Sequence, residues 1–349
     1  MKEDNTDSEE NKTEKSAPMG TPYDDVFRTM ITDSDRLTIS MINEMFGKHI
    51  PDDAVLTRLQ NEVFLASRKK RISDSDIRVD ENEDRSIGEA VGEYHMECES
   101  LAGDNAILIR LFEYTAGKAL NRATLEDNTL RVRFPRTGVL FLRDTKNTPD
   151  RMNMVVETSE SGSSLTIEVP VMKVSRYSLE DIFEKKLWFL LPFYVFRYWR
   201  GLGSKNADCF RRTEDEIISS MRRIGKELES LALRGEIDTY NRYLLKSMIS
   251  EVANAFARKS ERVIKEVDDI MGGKVLNYEA KDILRKGQKL KLISLVRKKM
   301  AHGCDANEIA KDLIEEIGEV KDIMSAINEC GPTADDSYVY ELLHQREES

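Results

Sequence analysis

Six consecutive residues, Tyr94-His95-Met96-Glu97-Cys98-Glu99, alternate between two kinds of side chain. In a strand, successive side chains point to opposite faces. Tyr94, Met96 and Cys98 then share one face, and His95, Glu97 and Glu99 share the other. Two carboxylates two residues apart on one face repel unless something cationic lies between them. Upstream, the run from Arg71 to Val79 reads as a second β-prone segment with an acid, Asp74, at its centre. An aspartate on one strand, with a glutamate and a further polar group on the next, is how a sheet builds a Mg²⁺ site for phosphodiester hydrolysis. Magnesium takes hard oxygen ligands, usually one or two carboxylates, and leaves room for waters and substrate phosphates. The ordinary alternative is a solvated polar face with no function.

The 349 residues suggest one large domain or two ordinary ones. A hydrophobic content of 40% and a charged content of 34% suit a globular chain rich in exposed helix. A net charge of −11 argues against coating nucleic acid everywhere, although a local basic face can still bind DNA. The four cysteines are scattered, with no Cys-x-x-Cys pair, which favours reduced thiols over zinc. No secretory segment is expected at the start. The apolar run from Leu187 to Phe196 is too short to span a bilayer and is interrupted by Pro192, so a buried core helix and a cytoplasmic protein without membrane contact are expected.

Residues 1–20 carry hardly an apolar side chain and are expected to form a disordered acidic tail. From 21 to 203, helices and strands mix. Helices are predicted from about Asp24, capped by Asp24 or Asp25, and through Leu37 to Phe46, ending at Gly47. Short β-prone runs cover Asn61 to Leu65 and the Asp74 segment, and Asp80 to Glu89 reads as a long hairpin loop. A helix over 106–120 places Arg110 and Tyr114 one turn apart on one stripe. Three or four further β-prone runs follow, and Ser178 with Asp181 forms a capping box. The sum is an α/β fold with a mixed sheet flanked by helices. From 204 to 345 the pattern is helical throughout. Seams at Ile217, Met221, Ile224, Leu228 and Leu231, and from Leu244 to Ile270, predict an antiparallel helical hairpin, with pairing between copies as the alternative. Lys281 to Lys299 is a basic tract, read either as a solvated helix face or as a phosphate-binding one. Two short helices with a turn near Gly318 have the outline of a helix-turn-helix.

Several segments together resemble the bacterial PD-(D/E)XK nuclease family transposases, relatives of the recombination-promoting nucleases. They are Pro22-Tyr23-Asp24-Asp25-Val26-Phe27-Arg28, Asn61-Glu62-x-Phe64-Leu65, Arg71-Ile72-Ser73-Asp74 and Tyr94-His95-Met96-Glu97-Cys98. The helix Ile109 to Tyr114, Val139 to Arg143, Val169 to Val174, Leu190 to Tyr194 and Met271 to Leu276 extend the likeness. The resemblance implies a restriction-endonuclease-like core whose two central strands carry the acids. It further implies Mg²⁺- or Mn²⁺-dependent hydrolysis of DNA phosphodiesters in a transposase-like protein. Asp74 matches the motif aspartate and Glu97 the following acid, the two expected to hold the metal, and Glu62 matches an additional upstream acid. The family pattern has Lys or Gln two residues after the second acid, where this chain has Glu99. Glutamate cannot donate the hydrogen bond that Lys or Gln supplies. Either Glu99 acts as a general base or second-metal ligand, or the fold is a catalytically degenerate DNA-binding or scaffold protein.

Overall fold

The computed structural model describes residues 21–59, 62–64, 70–72, 75–80, 91–100, 106–159, 162–313, 315–331 and 334–347, with the backbone alone in 62–64, 70–72, 80, 91, 106, 273–284 and 347. The expected acidic tail, 1–20, lies outside the described residues.

Two helices open the fold, α1 (Pro22–Asp33) and α2 (Asp35–Phe46). The cap of α1 is Thr21, not Asp24. The Thr21 hydroxyl accepts from the Asp24 N–H, and the Asp24 carboxylate accepts from the Thr21 N–H at 2.7 Å, a reciprocal capping box. Gly47 ends α2 at φ 61°. There follow β1 (Leu56–Arg58), β2 (Glu62–Phe64), β3 (Lys70–Ile72), β4 (Ile77–Asp80) and β5 (Val91–Glu99), then α3 (Ala106–Asn121). Next come β6 (Thr124–Glu126), β7 (Thr129–Arg131), β8 (Arg136–Phe141), β9 (Arg151–Glu157) and β10 (Ser164–Lys173).

Six strands form one mixed sheet in the order β1-β4-β5-β8-β10-β9, with β5, β8 and β10 parallel and the remaining pairs antiparallel. Among the described residues, β2 and β3 pair only with each other, as do β6 and β7. The run from Arg71 to Val79 is therefore not one strand. Its first residues belong to the β2–β3 ribbon, and from Ile77 it joins the main sheet. The predicted loop after Asp80 lies outside the described residues, while the strands on either side of it pair antiparallel.

Alternation sets the layers. Tyr94, Met96 and Cys98 of β5, with Leu140 of β8, enter a large core against α1 and α2. The opposite face meets α3, where Ile107 and Leu111 pack with Val139, Phe141, Met154 and Val169. After α4 (Leu179–Glu184), the apolar run is buried as expected but is not an α-helix. It forms two 3-10 segments, Trp188–Leu190 and Pro192–Tyr198, because Pro192 has no N–H to continue an α ladder.

The short α5 (Trp199–Leu202) leads to α6 (Ala207–Leu233), α7 (Thr239–Phe256) and α8 (Glu261–Met271). The predicted continuous helix from Leu244 to Ile270 breaks after Phe256. There Ser260 caps α8, accepting from the Val263 N–H at 3.1 Å and donating to the Glu214 carboxylate. Ile217, Met221, Leu244 and Val263 share one core with Phe27 and Met96, so the change in composition at Ser204 is not a break in packing. The helices α9 (Gly273–Ala301), α10 (Ala306–Leu313), α11 (Ile317–Cys330) and α12 (Asp336–Glu347) close a second, smaller core around Ile293, Val296, Ile323 and Val339. Gly318 lies inside α11; the turn precedes it.

Within α9 the basic tract is largely engaged by acids from other elements. Lys289 meets Glu319 at 2.8 Å, Arg297 meets Asp336 at 2.9 Å, Lys299 meets Asp312 at 2.8 Å and Lys291 meets Asp35 at 3.2 Å. A Cβ built on Gly287 would lie 2.0 Å from the ring of Tyr240, so α9 crosses α7 with no room for a side chain there. No helix among the described residues is long and apolar enough to cross a membrane.

Candidate acidic site beneath helix α3

The polar face of β5 is a buried row. His95 is fully buried, and Glu97 and Glu99 are 5% and 7% exposed. What lets acids sit there is a stripe on the facing helix. Arg110, Tyr114, Lys118 and Arg122 follow one another at intervals of four along α3 and just past its end, and so share one face.

Each member of the stripe meets a group of β5 or of the chain before β4. Arg110 forms an ion pair with Glu99, the cationic neighbour that two adjacent carboxylates require. Burial disfavours the guanidinium charge, but Glu99 outweighs it and holds the Arg110 pKa above its ordinary value. Tyr114 packs edge-on against His95, ring centroids 6.0 Å apart. The buried Lys118 donates to the Ser75 carbonyl oxygen at 2.5 Å. Arg122 pairs with Asp76 and, at 2.9 Å, with Glu93, which also takes Arg78 at 3.0 Å.

His95 is locked from both sides. Its Nε2 lies 2.8 Å from the Glu97 carboxylate, and its Nδ1 lies 3.4 Å from Thr115 Oγ1. Burial, with Lys118 and Arg122 adding to it, holds the imidazole pKa well below its usual value, so the ring is neutral. The network then assigns the proton to Nε2, which donates to Glu97, while Nδ1 accepts from Thr115. Thr115 in turn lies 3.0 Å from Thr137 of β8. Ser75 ties β5 to the chain before β4: its hydroxyl accepts from the Met96 N–H at 2.6 Å and donates to the Met96 carbonyl at 2.8 Å.

The two carboxyls that share Arg122 differ electrostatically. Burial pushes the Asp76 carboxyl above the usual carboxylate range, only partly offset by Lys118 and Arg122, and its Oδ1 has no hydrogen-bond partner among the described residues. Burial also pushes on Glu93, but Arg122 and Arg78 overcome it and hold that carboxyl low.

Of the residues singled out in the sequence, Glu97 and Glu99 come together on one face. Asp74 lies outside the described residues. Glu62 is a residue of β2, in a ribbon separate from the strand that carries Glu97. Asp76, Thr115, Lys118 and Arg122 were missed, although continuing the Arg110–Tyr114 stripe by four and eight residues reaches the last two. The donor set is carboxylate oxygen, the type that suits Mg²⁺ or Mn²⁺. No cluster of three or more metal-ligating side chains occurs among the described residues. The chain matches no protein-family model, no curated protein and no solved structure.

Proposed function

We propose that this chain is a Mg²⁺- or Mn²⁺-dependent DNA endonuclease of transposase-like type on a restriction-endonuclease-like fold, with Asp74 and Glu97 holding the metal. The observation that carries the reading is the Arg110–Glu99 pair beside Glu97. It keeps two carboxylates together in a buried place, and it returns a cation to the spot where the family pattern has Lys or Gln. The position of β5 inside a mixed sheet supports the fold. A bound divalent ion supplies Lewis-acid stabilisation of the charge that builds on a phosphodiester. The chain's own residues orient the ligand. His95 donates to Glu97 and is held by Thr115, and Arg110 fixes Glu99 at the end of the row.

A second reading has its own observation. Glu97 and Glu99 are each engaged by a partner inside the protein, which suits a degenerate site that keeps the fold to bind DNA or to act as a scaffold.

Supercoiled plasmid incubated with the full-length protein and Mg²⁺, Mn²⁺ or EDTA separates the two. The endonuclease reading expects metal-dependent nicking, abolished in Asp74→Asn and Glu97→Gln and lowered about 10–100-fold in Arg110→Met, which removes support around a ligand rather than the ligand. A parent that is inert with every metal, while Glu99→Lys gains nicking, establishes degeneracy. If both are inert, the scaffold reading stands.

A further inference from the structure

At the end of the sheet where β5 and β8 begin, a groove of about 1450 Å³ opens between two β ribbons. One wall is the far part of β9 and β10. Val171 stands opposite Val139, which puts Arg136, the first residue of β8, level with Glu168. Residues 164–167 therefore overhang the start of β8 and pair only with β9. The other wall is the β6–β7 hairpin, exposed at every strand residue. Its two-residue turn places Asp127 at φ 46° and Asn128 at φ 64°, the conformation that matches ribbon twist, so the hairpin is a preformed arm.

Six arginines and four carboxylates line this groove, in a chain whose net charge is −11. The arginines divide by what they already do. Arg78 and Arg122 hold the acids of the row, and Arg151 meets Glu168 at 3.0 Å. Arg131 is 70% exposed and reaches Glu126 only at 3.8 Å. Arg133 is exposed and makes no ion pair among the described residues, and the Arg136 guanidinium lies over the Tyr94 ring, 5.6 Å from its centroid. These last three come from one extended segment pinned by the buried Pro135, with Arg131 and Arg133 two residues apart.

We propose that this groove binds a DNA duplex, with Arg131, Arg133 and Arg136 on its phosphates and the β6–β7 hairpin directed at a duplex groove; the choice of DNA rests on the reading above. Guanidinium forks match phosphate oxygens and lose little when they start out exposed. A two-stranded ribbon is one of the elements the major groove admits. Position supports the same occupant. Glu93 lines the groove and stands four residues before Glu97 on β5, roughly 13 Å at the rise of a strand. A duplex seated between the ribbons thus passes the acid row, whereas the basic tract of α9 is engaged elsewhere.

The test is fluorescence anisotropy of a short labelled DNA duplex with the full-length protein in EDTA, across a NaCl series. Log affinity should fall linearly with log salt, and Arg131→Ala/Arg133→Ala should reduce that slope by roughly 1.8, at about 0.9 for each phosphate no longer neutralised. Lys286→Ala/Lys298→Ala should keep the parent slope. Both variants alter exposed residues, and unchanged circular dichroism verifies their fold. No duplex binding at low salt, an unchanged slope in the arginine variant, or a loss confined to the lysine variant each overturns the proposal. Because no metal is present, a protein that binds in this way yet never nicks plasmid rejects the catalytic reading and leaves the groove assigned.

Discussion

The two faces of β5 are buried to nearly the same degree by opposite means. Tyr94 and Met96 are fully buried among aliphatic and aromatic side chains, where the removal of apolar area from water is what stabilises them. One residue along in each case, His95 and Glu97 are nearly as inaccessible, and there polar partners account for the burial. They stay because each polar group meets another: Glu97 with His95, Glu99 with Arg110, Asp76 and Glu93 with Arg122. The apolar face is a sum of many weak contacts and degrades by degrees. The polar face is a set of mutual obligations, in which losing one member strands another.

The sharpest way to break the polar face is Arg122→Met. It leaves Asp76 and Glu93 buried with one cation fewer, and unfolding in urea at pH 7 should show a loss of about 3 kcal/mol. The deficit should shrink as pH falls to 5. The Asp76 carboxyl titrates above its unfolded value, so its burial lowers stability as pH rises through that window, and removing Arg122 widens the window. Glu93 titrates below its unfolded value. The benefit that Arg122 gives it is present above the unfolded pKa and is lost only below it, so it is intact at pH 5 and the narrowing comes from Asp76. An equal loss at both pH values would place the stranded charges in water.

On the apolar face, Met96→Ala should cost about 2–3 kcal/mol through a cavity that the packed core closes only in part. The loss should be the same at pH 5 and pH 7, since the side chain packs in the apolar core; a pH-dependent loss would mean the two faces are coupled through the strand.

The smallest effect extends the comparison to a half-buried charge between the two cores. Burial, with Arg58 adding to it and Asp35 opposing, lowers the Lys291 pKa to about 8. From pH 8 to 10 the unfolded chain holds more protons than the folded one, so stability should rise with pH by about 1–2 kcal/mol. In Lys291→Met that rise should vanish. A parent whose stability is flat over the same range would contradict the burial of this cation.

What the sequence could reveal follows from how local each cause is. The strand alternation at Tyr94–Glu99 and the stripe begun by Arg110 and Tyr114 are periodic, and both were legible. So were the buried seam of α6 and the capping box at Ser178. The basic tract was legible as a tract but not as a clasp, because its partners Glu319, Asp336 and Asp35 lie far away along the chain. Asp76 was hidden for another reason. It sits two residues from Asp74 in a run that reads as one strand, and only the pairing of β3 with β2 shows where that run divides. The 3-10 form of the apolar run required weighing Pro192 above helical propensity. The cut after Phe256 depended on Ser260 finding the buried Glu214 of α6.

The contact of Gly287 with Tyr240 fixes how the two cores can move relative to each other. The ring of Tyr240 occupies the volume a side chain at that point of α9 would need, and the neighbours of Gly287, Lys286 and Gln288, both carry long ones. Advancing α9 by one residue along its helical screw would drive one of those side chains into the ring. The smaller core is therefore indexed to α7 like a key in a single notch. It can lift away or pivot about that point, but it has no neighbouring position in which to settle.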